Sequence, residues 1–206
     1  MTEKEKMLTS RYYDPNDKEL LSLRQKCHML CLEYNSLEET NPRRVEILKK
    51  LGIKGYEHIY LQGPIQFDYG CFTSFGENSY ANFNLVILDC APVTIGKNVL
   101  MGVNVTIVPP LHPLHYLDRN LFYDETKGYM TDNEYAAPIT IEDNCWIASG
   151  VTICGGVTIG EGSVIGAGSV VTKDIPKNSL AVGNPCRVIR QIDESDRVNI
   201  KKLVKD

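Results

Sequence analysis

Large aliphatic residues recur every six positions through the second half of the chain, at Ile141, Ile147, Ile153, Ile159, Ile165 and Val171. Four residues after each of the first five stands a small or β-branched residue: Cys145, Val151, Val157, Ser163 and Ser169. The same beat runs upstream through Tyr69, Phe75, Ala81 and Ile87, slips by two residues, and resumes at Ile95, Met101 and Ile107. Helices repeat near 3.6 residues and simple strands at 2, so neither gives a strict recurrence at six. A β-helix does, with each hexapeptide supplying one short strand and one corner. Three walls close a coil of about 18 residues, and coils stack about 4.8 Å apart. The thirteen hexads predict just over four coils. Each inward Ile or Val contributes about 1.5–3 kcal/mol. Conventional hairpins would need turn residues every 8–12 positions or so, which the chain lacks.

Two segments flank the repeat and one interrupts it. Residues 1–56 read as helical. Leu20, Leu23, Cys27, Leu30 and Tyr34 step by 3 and 4 onto one face, after a capping box of Asn16 and Glu19. A second helix is expected from Asn41, with Pro42 in its first turn and Gly52 at its end. The repeat unit spans 57–180, with an insertion at about 108–138 that has no hexad beat and holds His112 and His115. A loop this long in a compact domain is usually functional. Residues 181–206 are expected to leave the solenoid, cap its open end and finish in a short helix.

Composition removes several classes of function. A net charge of −4 without a basic cluster argues against nucleic acid as a partner. No apolar run is long enough for a membrane helix, and the start lacks an apolar leader. The seven cysteines show no CxxC pair or framework spacing, so reduced thiols in the cytoplasm are expected. Cys27 and Cys31 bracket His28, but both cysteines fall on the apolar helix stripe, where free Cys packs as a small hydrophobe.

The hexads, the loop with HPLH and the ending SVVTKDIPKNSLAVGNPCRVIR resemble the hexapeptide-repeat acyltransferases. The motifs YYDPND, YANFN and LDCAPVTIG are similar to the maltose/galactoside O-acetyltransferase branch. That resemblance implies a mainly β chain folded as a left-handed parallel β-helix. It also implies a homotrimer with sites between subunits, acetyl-CoA (coenzyme A) as donor, and a sugar or similar small hydroxyl compound as acceptor. No metal is implied.

An alcohol is a poor nucleophile while protonated, and neutral histidine is the usual base near pH 7. The resemblance places that role on His112, the histidine followed by proline. His115 and Arg119 are assigned at most to holding the loop. Asp14, Asp68 and Asn82 match acceptor-binding positions, although Asn82 also reads as a corner asparagine and Asp14 as a helix cap. Ser149, Ala167, Thr172, Lys173, Arg187 and Arg190 match the donor side. Between Ala167 and Ile192, Lys173, Lys177, Arg187 and Arg190 face one acid, Asp174, which suits a phosphate-bearing ligand. A backbone N–H near Ser149 would stabilise the thioester oxyanion. Trp146 is expected to be packed. Two departures bear on specificity: Cys90 follows Asp89 where the galactoside branch has two acids, and the loop is longer around NLFYDETKGYM.

Two other readings keep the fold. A zinc carbonic anhydrase would need three converging histidines. A non-catalytic scaffold would need neither His112 nor the basic tail.

Overall fold

The computed structural model describes residues 1–198. A three-walled solenoid occupies most of the chain. Its first wall stacks Tyr60–Leu61, Tyr80–Ala81, Leu100–Met101, Trp146–Ile147, Val164–Ile165 and Ser179–Val182 in parallel. The second stacks Ile65–Phe67, Leu85–Ile87, Thr106–Val108, Thr152–Cys154 and Val170–Val171. The third stacks Thr73–Phe75, Val93–Ile95, Ile139–Ile141 and Thr158–Ile159. Register places like over like: Ile107 lies beside both Ile87 and Ile153, and Ile95 beside Ile141. All these inward side chains are buried.

Among the described residues the chain crosses the first wall six times in parallel, more than the hexad count predicts. The repeat begins earlier, at Leu61 and Phe67, and runs past Val171 to Ala181. Its opening is masked because the corners between the second and third walls hold two extra residues in the first two coils. Phe67 to Phe75 and Ile87 to Ile95 are steps of eight. Tyr69 therefore belongs to a corner and not to a strand. Asp89 organises that corner from the coil below. Its Oδ1 accepts the N–H groups of Tyr69 (2.8 Å) and Gly70 (3.1 Å), and its Oδ2 accepts the Phe72 N–H (3.2 Å) and the Thr73 hydroxyl (3.1 Å). Burial raises the pKa of this carboxyl, and those four donors oppose the rise.

The corners from the third wall to the first need left-handed backbone. Asn78, Asn98, Asn144 and Asn178 supply it, with φ between 53° and 61°. Asn tolerates that region better than most residues. The first three also bond side chain to side chain, at 3.3 and 3.1 Å, as a ladder along the edge.

A β-helix leaves unpaired strand edges at both ends. At the near end, helices α2 (Lys18–Asn35) and α3 (Arg43–Leu51) cover the first coil. Cys27, Cys31, Tyr34, Ile47, Leu48 and Leu51 join one core with Leu61, Ile65 and Phe67. Asn35 imitates a strand, accepting the Ile65 N–H at 2.8 Å and donating to its carbonyl at 2.9 Å. The cap of α2 is Asp17 rather than Asn16: its carboxylate takes the Glu19 and Leu20 N–H groups. Gly52 ends α3 with φ 78°, as its position predicts. A further helix, α1 (Glu3–Leu8), precedes them and is not signalled by the apolar pattern.

At the far end the parallel coiling stops after Val182 and the chain turns back to cap the open end. Arg187–Gln191 folds back antiparallel on Ser179–Val182 and covers the last edge. A short turn at Glu194–Asp196 follows. The helix expected at the extreme end falls mainly on 199–206, outside the described residues. Among the described residues no helix is long and apolar enough to cross a membrane.

Candidate active site

The insertion is a structured loop. Its neck is an antiparallel pair, Pro110–Leu111 with Tyr135–Ala136. Beyond it come helix α4 (Tyr116–Arg119) and a hairpin of Phe122–Asp124 with Tyr129–Thr131. The neck brings His112 back beside the segment that rejoins the coil. Nδ1 of His112 lies 4.0 Å from Oδ2 of Asp132, with the imidazole 48% and the carboxylate 21% exposed. Glu134 lies two residues on. Burial pushes its carboxyl up, while the Tyr13 hydroxyl, which donates to it, and nearby His112 pull it back. Sequence reasoning passed over Asp132 and Glu134. The available signal was two carboxylates two apart where the loop rejoins the repeat, a spacing that shares one side of an extended run.

The second loop histidine is structurally engaged. His115 Nδ1 accepts the Leu117 N–H at 3.4 Å and so caps α4, and its ring stacks on Tyr116 at 4.9 Å. Arg119 donates to the carbonyls of Leu114 and Pro113, which braces the HPLH turn. Among the described residues, no three His, Cys, Asp or Glu side chains are grouped to hold a metal ion.

Asp68 lies on the same edge as His112, two coils earlier. It faces His28 Nε2 at 3.5 Å and accepts from the Cys90 thiol at 3.4 Å. Burial pushes the Cys90 thiol well up, with the charges of Glu134 and Asp68 adding to the effect. Asp68, Cys90, Glu134 and Tyr13 thus form one polar path from α2 to the neck of the loop. His28, taken from sequence as a helix residue only, stands at its far end.

Asp14 is almost fully buried against the hairpin. Lys127 Nζ donates to Oδ2 at 2.8 Å, the Tyr129 hydroxyl donates to Oδ2 at 2.6 Å, and the Thr131 hydroxyl donates to Oδ1. Burial alone would raise this carboxyl, but these donors and the Asn16 N–H hold it at about 2. Beside it lies a cleft of about 130 Å³ lined by Tyr12, Phe122, Lys127, Asp132 and Asn133 among others.

The remaining expected site residues lie elsewhere on the prism. Asn82, Ser149 and Ala167 occupy one edge, between the first and second walls, in different coils. Asn82 is partly exposed and its Oδ1 accepts the Phe83 N–H at 2.8 Å. Ser149 Oγ accepts the Val103 N–H at 3.2 Å. Around Ser149 and Ala167 this edge carries only small residues, Gly150 and Gly168 included, and is open to solvent. Thr172 and Lys173 are exposed on the other edge, the one bearing Asp68 and His112. A single chain therefore does not bring His112 to Asn82 or Ser149. The second wall lies between the two edges.

Both tail arginines are exposed on the final strand. Arg187 donates to the Cys186 carbonyl at 2.7 Å. Arg190 grips Asp196 with two nitrogens at 2.7 Å each, and that pairing holds the Asp196 carboxyl at about 2. Trp146 is not packed as expected. It projects from the first wall, 53% exposed, between Leu100 and Val164, because its neighbour Ile147 takes the inward position.

Three stretches match known families: residues 138–173 the bacterial transferase hexapeptide (six repeats), 6–51 the maltose acetyltransferase hexapeptide capping motif, and 92–110 the hexapeptide repeat of succinyl-transferase. The chain is 40% identical over 169 residues to the galactoside O-acetyltransferase of Escherichia coli, covering 82% of this chain and 78% of that one. It is 44% identical to a maltose O-acetyltransferase of Clostridium difficile of known structure. That match has a TM-score of 0.83 and covers 94% of this chain and 99% of that one. A hexapeptide-repeat acetyltransferase of Vibrio cholerae, solved with acetyl coenzyme A, is 36% identical with a TM-score of 0.80, covering 94% and 100% of the two chains.

Proposed function

The chain belongs to the hexapeptide-repeat acetyltransferases, and on that premise we propose that it moves an acetyl group from acetyl-CoA to a hydroxyl of a sugar or similar small acceptor, with His112 as general base. The observation that carries this reading is the approach of His112 Nδ1 to Asp132 Oδ2, 4.0 Å apart. The nitrogen facing the carboxylate is Nδ1, so the acting nitrogen is Nε2 on a half-exposed ring. In the forward step His112 takes the acceptor's hydroxyl proton as its oxygen attacks the thioester carbonyl. The Ser149 N–H stabilises the oxyanion. Collapse expels the thiolate, which recovers the proton from His112. No acyl-enzyme is needed. The buried cysteines suit that, since burial pushes the thiols of Cys90 and Cys145 up and away from the reactive thiolate.

Asn82 and Asp68 are assigned to the acceptor. The glycine-rich edge at Ser149 and Ala167 suits an extended donor arm, and Thr172, Lys173, Arg187 and Arg190 suit its phosphates. Each group is split between the two edges, with Asn82, Ser149 and Ala167 on one and Asp68, Thr172 and Lys173 beside His112 on the other, so a complete site needs the His112 edge of one subunit against the Asn82 edge of the next. A closed homotrimer satisfies this for every subunit. The seven unpaired cysteines fit a reducing compartment such as the cytoplasm.

The test is a panel of sugars, amino sugars and simple alcohols incubated with acetyl-CoA, reading free thiol. An acceptor-dependent release that vanishes in His112→Ala supports the reading. Acceptor-dependent release unchanged in that variant removes His112 from the mechanism.

A further inference from the structure

We propose that Asp14 is a positioning residue, a latch that fastens the inserted hairpin to the N-terminal segment and so holds Asp132 and Glu134 toward His112. A carboxylate only accepts, through about four lone-pair directions. At Asp14 all four are taken. Oδ1 accepts the Asn16 N–H at 2.9 Å and the Thr131 hydroxyl, and Oδ2 accepts Lys127 at 2.8 Å and Tyr129 at 2.6 Å. Three of the four donors come from the hairpin, and the Asp14 side chain is 3% exposed. An acceptor hydroxyl could bond here only by displacing one of them. The geometry favours a latch over the ligand role that resemblance assigns.

The neighbouring contacts act in the same direction. The Asp14 N–H donates to Glu3 Oε2 at 2.8 Å, which ties the latch to α1. The Tyr13 N–H donates to the Glu134 carbonyl at 2.9 Å, and its hydroxyl donates to the Glu134 carboxylate. Residues 127, 129 and 131 hold the latch, and 132 and 134 carry the carboxylates near His112, all on one short run of chain. Asn133 ties the same run to α4 through the Asp118 carbonyl at 3.0 Å. Opening the latch frees this run on its hairpin side. A misplacement of about 1 Å at a reacting centre costs about a hundredfold in rate.

The turnover part rests on the reading of His112 as base, whereas the latch itself can be measured without any acceptor. Hydrogen exchange on the free protein compares wild type with Asp14→Asn, Lys127→Met, Tyr129→Phe and the double variant Asp14→Asn/Lys127→Met. Each single change is expected to speed exchange across 122–134 about tenfold, with the coils at 146–171 unaffected. The double variant should go little beyond the stronger single, as partners in one contact do. With an acceptor in hand, kcat should fall about tenfold or more while the acceptor KM stays within about twofold. Should Asp14→Asn not fold, Lys127→Met and Tyr129→Phe alter partly exposed side chains and give the same readout. Unchanged hairpin exchange in these variants overturns the latch, as does strict additivity in the double. A raised acceptor KM with unchanged kcat makes Asp14 an acceptor ligand. An active His112→Ala would sink the base assignment and leave the exchange result standing, so the two ideas fail separately.

Discussion

Nδ1 of His112 faces Oδ2 of Asp132 across 4.0 Å, and the two residues reach this distance from opposite ends of a long insertion. The neck pairing of Leu111 with Tyr135 closes the gap between them. The imidazole and the carboxylate are therefore brought together by backbone pairing and not by proximity in sequence.

His112→Ala is expected to keep the fold, since the residue lies outside the stacked core, and to lower kcat about 10²–10⁴-fold. Asp132→Asn, which leaves the ring but removes the charge, should lower kcat about tenfold. His115→Ala should cost less than either, because that ring caps α4. Initial rates of thiol release against acceptor concentration separate the three. A dead His115→Ala beside a near-normal His112→Ala would reverse the assignment.

Ile153 lies in register between Ile107 and Val171 and is fully buried. Ile153→Asp leaves an unpaired carboxylate in the core, at a cost of about 3–5 kcal/mol. Thermal denaturation should show a large fall in Tm or an insoluble protein. A soluble variant with the wild-type Tm would mean that the side chain is not inward.

Acid should weaken the hairpin first. Asp14 titrates at about 2 in the folded chain, below its ordinary value of 3.8, so its contribution is present above pH 4 and is lost as pH falls toward 2. The shift corresponds to about 2 kcal/mol. Equilibrium unfolding between pH 5 and 2 should show wild type losing this increment and Asp14→Asn showing a flatter profile. Parallel profiles would contradict the pairing.

Arg190 is held by Asp196, while Arg187 makes one backbone contact. Arg187→Ala should therefore raise the KM for acetyl-CoA about tenfold, as loss of a charge-assisted hydrogen bond does. Arg190→Ala should do less unless Asp196 is also removed. Equal effects of the two changes, measured with Asp196 intact, would show that the ion pair yields to the donor.

Light scattering should give a particle three times the 23.1 kDa chain. Co-expressed His112→Ala and Asn82→Ala subunits should regain part of the activity that each lacks alone, because mixed trimers contain sites with both residues intact. A monomer with full activity would rule out the shared site.

The hexad beat made the solenoid legible in the sequence, because a wall position repeats once per corner and favours an inward aliphatic there. The spacing in the core depends on local geometry alone, so Ile141 to Val171 could be read directly. The eight-residue step from Phe67 to Phe75 hid Leu61 and Phe67, and that corner is held by Asp89 reaching up from the next coil, a contact twenty residues away from Tyr69. His112 was singled out only through the family resemblance, as the loop histidine followed by proline. Its partners were not. Asp132 and Glu134 come to it through the neck pairing, and Asp14 meets Lys127, Tyr129 and Thr131 across more than a hundred residues. Sequence alone determined which residues stack from Phe75 to Val171, since those follow a period. Which edge each polar residue occupies, and which carboxylate is already spent on a neighbour, was decided only when the coils closed, because those relations depend on distance in space.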